Sequence, residues 1–99
     1  MTYNGWTNYA TWLANLHLGH AFPEELADDI DGGYRDPFTD VDDLAAYLKS
    51  EARELVLESY TNAIVAEFAC AGLDEVNWYE LAEAHAKDFP QLVRREVTA

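Results

Sequence analysis

The apolar residues near the start of the chain recur at the spacing of one face of a helix. Five large side chains follow the pattern i, i+3, i+4, i+7, i+8: Tyr9, Trp12, Leu13, Leu16 and His17. This pattern is typical of an amphipathic helix. Thr7 or Asn8 can cap its start through a side-chain oxygen, and Gly19 suits its end. The spacing therefore predicts a first helix that ends near Gly19.

A second, shorter helix is predicted from Pro23 to the glycine pair at 32–33. Proline suits the first turn of a helix, and Glu24 and Glu25 favour the positive end of the helix dipole. Residues 31–38 contain two glycines and a proline, which predicts a loop.

The middle of the chain predicts a long helix and a break. Thr39 and Asp42 resemble a capping box with Asp in place of Glu. Seven apolar positions at helical spacing follow: Val41, Leu44, Ala45, Leu48, Ala52, Leu55 and Val56. Ser and Thr in residues 59–61 weaken a helix interior and favour caps, so we expect a break or kink there. A further helix should run to about Ala71 and stop at Gly72.

The last helix has a predicted start at Asn77, with Glu80 at its third position. Val76 and Leu81 occupy the positions of a hydrophobic staple. Pro90 should end this helix, which leaves residues 91–99 as a frayed tail or a short extra turn.

No segment alternates β-branched and polar residues as a strand does. The sequence therefore predicts an all-α protein, a single small domain over residues 1–99 with four or five helices packed around an aromatic core. Residues 1–23 hold Tyr3, Trp6, Tyr9, Trp12 and Phe22, so this segment is expected to be core, with Trp6 and Trp12 against Trp78 and Tyr79.

The charge balance excludes several classes of function. The chain has 19 acidic and 6 basic residues, a net charge of −13. Direct nucleic-acid binding needs clustered Lys and Arg, and an anionic membrane surface would repel such a chain. The start of the chain lacks the features of a signal peptide, and the single Cys70 fits a reducing compartment. We therefore expect a cytoplasmic protein that binds neither nucleic acid nor membrane.

The negative charge is concentrated in one segment. Residues 1–23 contain no charged residue, whereas residues 24–43, the acidic segment, contain nine acids and one base, Arg35. The nine candidate binding residues are Glu24, Glu25, Asp28, Asp29, Asp31, Asp36, Asp40, Asp42 and Asp43. Carboxylates three or four residues apart on a helix stand about 5–6 Å apart, comparable to neighbouring phosphates of a nucleic acid. The segment is either a surface for a basic partner or a solvated face that serves solubility or tolerance of salt.

Other candidate chemistry is weak. His17, His20 and His85 lack the short-spaced ligands of a zinc signature, and Cys70 lies in an apolar run that favours packing over reactivity. Asp29, Asp31 and Asp36 surround a glycine pair without the spacing of a calcium loop. Phosphate-binding loops, nucleophile elbows and catalytic triad motifs are missing. The sequence predicts no metal site, no cofactor and no enzymatic activity.

Two segments carry a resemblance. Asn8-Tyr9-Ala10-Thr11-Trp12 and Val76-Asn77-Trp78-Tyr79-Glu80-Leu81-Ala82 resemble segments of small proteins encoded by bacteriophages and mobile elements. The resemblance covers both ends of the chain and leaves residues 20–60 unaligned. It implies a setting of phage or plasmid warfare, in which small acidic proteins resemble DNA mimics that block restriction enzymes or CRISPR effector complexes.

The leading hypothesis is therefore an inhibitor of the anti-CRISPR or anti-restriction type in the host bacterial cytoplasm. Its acidic segment would occupy the basic, nucleic-acid-binding surface of a host defence complex. The alternative is an acidic helical interaction module or a homodimer without nucleic-acid mimicry, in which residues 3–12 form an interface and the acids serve solubility.

Overall fold

The computed structural model describes residues 3–19, 21–59 and 62–94, and these fold into five α-helices. The helices are α1 (Tyr9–Leu18), α2 (Ala21–Asp31), α3 (Val41–Ser59), α4 (Ala63–Asp74) and α5 (Trp78–Asp88), followed by a 3-10 turn over Pro90–Leu92. The described ranges contain no strand, which confirms the predicted all-α class and the number of helices. Within the same ranges no helix is both long and apolar enough to cross a membrane.

The centre of the molecule is the contact between α3 and α5. The helix α4 packs against α3, α1 packs against α5, and α2 packs against the 3-10 turn. The core is mainly aliphatic, with Leu44 and Leu48 of α3 and Leu81 of α5 at its middle. Phe38 and Trp78 are its buried aromatic members. The molecule measures 49 × 34 × 19 Å, so its thinnest dimension holds about two helix diameters.

The helix boundaries follow the local signals closely. Asn8 caps α1 and Gly19 follows it, as predicted, and α3 ends at Ser59, where a break was expected. Asn62 then caps α4 by accepting from the amides of Ile64 and Val65. These outcomes confirm that short side-chain caps set the ends of the elements.

Three boundaries differ from the prediction. The helix α2 begins two residues before Pro23, which is compatible with its first turn because that turn needs no amide donor. The helix α4 continues through Gly72 to Asp74, since nothing there requires the left-handed backbone that makes glycine a stop. The cap of α3 is shifted by one residue: the Asp43 amide donates to Asp40 Oδ1 at 2.8 Å, and Asp43 Oδ2 accepts from the Thr39 amide.

The structure buries a different face of α1 from the one expected. Thr11 is buried, and Ala10, Ala14 and Leu18 pack against the core. Tyr9 is 54% exposed, and Leu16 is also exposed, so these two side chains lie off the buried face. The expectation that residues 1–23 are all core is therefore wrong for these side chains and for the exposed Tyr3.

The aromatic rings form two clusters other than the expected one. Tyr3, Tyr9 and Trp12 pack together with ring centroids 5.0 to 5.6 Å apart. The second cluster joins Phe22 and Phe38 through Tyr47. Trp78 is buried as expected, whereas the neighbouring Tyr79 is exposed.

The start of the predicted tail is held in place. Leu92 is fully buried, and its carbonyl accepts from the Phe38 amide at 2.7 Å. The Arg94 amide donates to the Phe38 carbonyl at 2.8 Å, so residues 92–94 pair with the loop before α3. Of the two alternatives for this tail, the short extra turn is confirmed for residues 90–92. Residues 95–99 lie outside the described part.

Candidate functional site

All nine candidate carboxylates of the acidic segment are exposed to solvent. Five of them lie on α2, Asp36 and Asp40 lie in the loop that follows, and Asp42 and Asp43 open α3. The structure therefore places every predicted binding residue on the surface.

The helix α2 separates its apolar and acidic residues onto two faces. Pro23, Leu26 and Ala27 are buried and hold the helix against the molecule. The helix period then turns its five acids outward: Glu24, Glu25, Asp28, Asp29 and Asp31. Neighbours three or four residues apart on this face stand about 5–6 Å from each other at Cβ. We call these five residues the acidic face of α2.

Two of the remaining acids of the segment, Asp40 and Asp43, have local structural partners. Asp40 and Asp43 cap the start of α3 through backbone amides. Asp36 and Asp43 line a shallow groove together with Arg35. On α2 itself, Asp31 Oδ2 accepts a hydrogen bond from Gln91 Nε2 at 3.1 Å. Within the acidic face of α2, the other four residues, Glu24, Glu25, Asp28 and Asp29, accept no side-chain hydrogen bond from the described residues.

Arg35, the one base of the segment, packs against two aromatic rings. Its guanidinium carbon lies 4.4 Å from the Tyr47 ring centroid and 4.7 Å from that of Phe38, two cation–π contacts. Burial raises the pKa of Tyr47; the Arg35 charge opposes this rise and the Glu51 carboxylate adds to it. The ion pair between Lys49 and Asp74 is the single one found among residues 3–19, 21–59 and 62–94, so the charge of the acidic segment stays uncompensated there.

The two segments that carry the sequence resemblance bind each other. Asn8 Oδ1 accepts from both the amide and the hydroxyl of Thr11, and Thr11 Oγ1 in turn accepts from the Asn77 amide at 2.8 Å. Asn8 Nδ2 donates to the Glu75 carbonyl at 2.8 Å. The start of α1 and the start of α5 thus form one hydrogen-bonded unit, which we call the cap junction.

The cap junction completes the capping box of α5 across two helices. Asn77 Oδ1 accepts from the Glu80 amide, as the sequence predicts. The Glu80 side chain, however, accepts from the Thr7 amide at 2.9 Å, and Asn77 Nδ2 donates to Thr7 Oγ1 at 3.3 Å. Because these polar groups satisfy backbone donors at helix starts, the resemblance marks an architectural feature.

The histidines do not come together. His17 is exposed on α1, His85 is buried on α5, and His20 lies outside the described residues. The part of the chain that the structure describes contains no group of three or more His, Cys, Asp or Glu side chains arranged to hold a metal ion, including the acids around Gly32. Cys70 is half-buried and free.

His85 is a buried polar residue that the sequence did not single out. It is 2% exposed, and its Nε2 has no hydrogen-bond partner among the described residues. Burial lowers the pKa of His85, and the nearby Asp88 carboxylate only partly opposes this. The imidazole is therefore kept neutral inside the protein.

An apolar groove between α1, α3 and α4 was also not predicted. Its volume is about 500 Å³, and its lining includes Leu13, Leu55, Val56, Gly72 and Leu73. One signal for it exists in the sequence: α4 is apolar around its whole circumference, with Glu67 and Asp74 as its charged residues.

The fold and these surfaces define a small all-α protein with an acidic side and a separate apolar groove. The chain belongs to a family of unknown function, DUF7249, whose model matches residues 1–96. A comparison with curated proteins and a comparison with solved structures each find no match.

Proposed function

We propose that the protein is a non-enzymatic inhibitor that binds a basic, nucleic-acid-binding surface of another protein through its acidic segment. The observation that carries this proposal is the exposure of all nine carboxylates to solvent, at a net charge of −8 over residues 24–43. Like charges one helical turn apart destabilise a helix by a few tenths of a kcal/mol per pair. A surface that retains such pairs without an ion pair to a base among the described residues fits a partner that supplies the bases.

The spacing of the carboxylates on the acidic face of α2 supports binding by imitation of nucleic-acid phosphates. Its carboxylates repeat at about the spacing of phosphates along a strand. A groove that binds nucleic acid presents Arg and Lys to such a repeat, and Arg pairs with carboxylate and phosphate in the same bidentate geometry. All five carboxylates of this face are exposed and therefore accessible for this pairing, although Asp31 also accepts a hydrogen bond from Gln91.

The class of partner is supported by the resemblance to proteins of phages and mobile elements. In that setting the basic surface belongs to a CRISPR effector or a restriction enzyme in the host bacterial cytoplasm. Effector complexes hold nucleic acid in positively charged channels, so an acidic protein of this size would compete with the nucleic acid for the same site. The action is steric and electrostatic and uses no cofactor.

Two variants of equal net charge test the proposal. In the first, Asp28, Asp29 and Asp31 are replaced together by Asn; in the control, the exposed Glu54, Glu58 and Glu83 are replaced by Gln. Competition with labelled DNA for purified restriction enzymes and CRISPR effectors measures binding at 0.1 M salt. We expect the first variant to bind about tenfold more weakly, as three exposed ion pairs would predict, and the control to bind almost as well as the natural protein.

Electrostatic attraction between the acidic segment and a basic partner also predicts how the association rate depends on salt. The association rate should fall as salt rises from 0.05 to 0.3 M, because the screening length shortens over that range. Equal inhibition by both variants, or inhibition independent of salt, would overturn the mimicry mechanism.

A further inference from the structure

A tight turn at Asn4 and Gly5 precedes α1. The Tyr3 amide donates to the Trp6 carbonyl at 2.6 Å, and the Trp6 amide donates to the Tyr3 carbonyl at 2.8 Å. Asn4 and Gly5 between them both have positive φ, 48° and 87°. Two central residues with positive φ between a hydrogen-bonded pair define the type I′ hairpin turn, for which Asn-Gly is a preferred sequence.

The same two residues are a chemically labile pair. Asparagine is among the least durable side chains of proteins. The backbone nitrogen of the next residue attacks its Cγ, a five-membered succinimide ring closes, and the side-chain nitrogen leaves as ammonia. Water then opens the ring at one of its two carbonyls, which gives aspartate or isoaspartate. A following glycine favours this attack, because it has no side chain to hinder the approach of its nitrogen.

The structure leaves both reacting groups accessible. Asn4 and Gly5 are exposed, and a Cβ atom added at Gly5 would meet no atom within 4 Å. Within residues 3–19, 21–59 and 62–94, neither the Gly5 amide nor the Asn4 side chain takes part in a hydrogen bond. No contact seen in the described residues therefore ties down the nucleophile or the amide that it attacks.

The comparable residues elsewhere in the chain are held in place. Asn15 lies inside α1 and is followed by a leucine. Asp31-Gly32 can form the same ring by loss of water, but the Gly32 amide donates to a carbonyl of α2 at 2.9 Å. The other three asparagines use their side chains to cap helices: Asn8, Asn62 and Asn77. Asn4 is thus the asparagine whose surroundings favour the reaction most.

Ring closure requires the turn to open. The Gly5 nitrogen reaches Cγ of Asn4 by rotation about the Cα–C bond of Asn4, and this rotation takes the residue out of the turn conformation. An isolated bridge of two hydrogen bonds closes the turn, together with the Tyr3 ring, whose centroid lies 5.0 Å from that of Trp12. Isolated hairpins are marginally stable in water, so the open form is readily populated.

We propose that Asn4 is a site of spontaneous deamidation in the native protein. Either product places the first charge in residues 1–23. Aspartate keeps the turn, since Asp-Gly also suits type I′. Isoaspartate leads the backbone through the former side chain and lengthens it by a methylene group, so the Tyr3–Trp6 pairing is lost and Tyr3 leaves its ring cluster. The proposal stands independently of the inhibitor function.

Incubation of the natural protein at 37 °C, at pH 7.5 and 8.5, followed by digestion and mass spectrometry, tests the proposal. We expect conversion at Asn4 to be at least about tenfold faster than at each other asparagine, because Asn4 is the one followed by glycine. The rate should rise with pH, since the attacking nitrogen must lose its proton. A synthetic peptide of residues 1–10 gives the rate without the fold, and the native rate should lie within about tenfold of it.

Asn4→Gln is the control variant, because attack on the longer side chain would close a less favourable six-membered ring. It should show no conversion at this position. The near-ultraviolet circular dichroism of the rings should decline as isoaspartate accumulates in the natural protein and stay constant in the variant. Conversion at Asn4 no faster than at Asn15, or a native rate more than about a hundredfold below that of the peptide, overturns the proposal.

Discussion

At the scale of single residues, His85 is a buried side chain with one ring nitrogen that has no hydrogen-bond partner among the described residues. The side chain sits in the packing between α5 and the rest of the core, with Nε2 lacking a partner among the described residues. A neutral imidazole tolerates this position, while a protonated one would bring an uncompensated charge into the core. Nothing in its sequence neighbourhood distinguishes it from the exposed His17, because burial is a property of the packed helices.

His85 should make the protein less stable in mild acid. The pKa of His85 is lowered in the folded state. Below about pH 6.5 the imidazole of the unfolded chain therefore binds a proton more readily than the imidazole of the native protein. Stability is therefore full above pH 6.5 and declines as the pH falls towards the folded pKa, by up to about 1.4 kcal/mol per pH unit. Urea denaturation at pH 7.5, 6.5 and 5.5 measures this decline.

The variant His85→Leu should show a flatter dependence over the same range, since it has no group to protonate there. His17→Leu is the control, because that imidazole is exposed and its variant should keep the dependence of the natural protein. If the natural protein and His85→Leu lose stability in parallel from pH 7.5 to 5.5, the buried imidazole is not the cause.

At the scale of elements, the cap junction fixes how α1 meets α5. The Thr11 hydroxyl both donates to Asn8 Oδ1 and accepts from the Asn77 amide, so one buried atom serves the starts of two helices. The caps themselves could be predicted from the sequence, since each acts within three residues. The pairing of the caps could not, because Thr11 and Asn77 are 66 residues apart.

Replacing Thr11 by Val should destabilise the fold by about 1–3 kcal/mol. The substitution keeps the shape of the side chain but leaves the Asn77 amide without its acceptor, and the cost of an unsatisfied buried group is of this size. Thr11→Ser keeps the hydroxyl and removes only a methyl group, which costs about 1 kcal/mol or less. Guanidinium denaturation should therefore rank the natural protein above Thr11→Ser and Thr11→Ser above Thr11→Val. A Val variant as stable as the Ser variant would show that the junction contributes nothing.

The apolar stripe predicted for α1 is not the face that the helix buries. Periodicity identifies a helix, but in a helix with few polar residues it does not identify the buried face. Tyr9 and Leu16 belong to the predicted stripe, yet the small residues Ala10 and Ala14 allow the closer approach to the core. Of the larger side chains, Tyr9 and Trp12 form the ring cluster with Tyr3, and Leu13 lines the apolar groove.

At the scale of the whole molecule, the charge and the apolar surface are separated. The acidic segment covers α2 and the loop to α3, and the apolar groove lies between α1, α3 and α4. One small chain thus presents two chemically different surfaces, one acidic and one apolar.

Because the charge of the acidic segment is uncompensated, the melting temperature of the protein should rise with the concentration of sodium chloride. Repulsion within the acidic face of α2 involves four pairs three or four residues apart, together worth about 1–2 kcal/mol at low salt. Raising the salt from 0.05 to 0.5 M should therefore raise the melting temperature by about 5 °C, because the repulsion is screened. In the Asp28, Asp29 and Asp31 to Asn variant the rise should be clearly smaller. A melting temperature that is flat or falls with salt would contradict this account.

The sequence alone determined the helical class, most helix ends, the break after Ser59 and the concentration of charge in residues 24–43. These depend on neighbours within one or two turns, where capping side chains and helical period act directly. Tertiary structure decided which face of α1 is buried, that Asn8 and Asn77 share one junction, that Leu92 is core, and that α4 remains uncovered beside a groove. Each of these depends on groups far apart along the chain, whose meeting is fixed by the packing of whole helices.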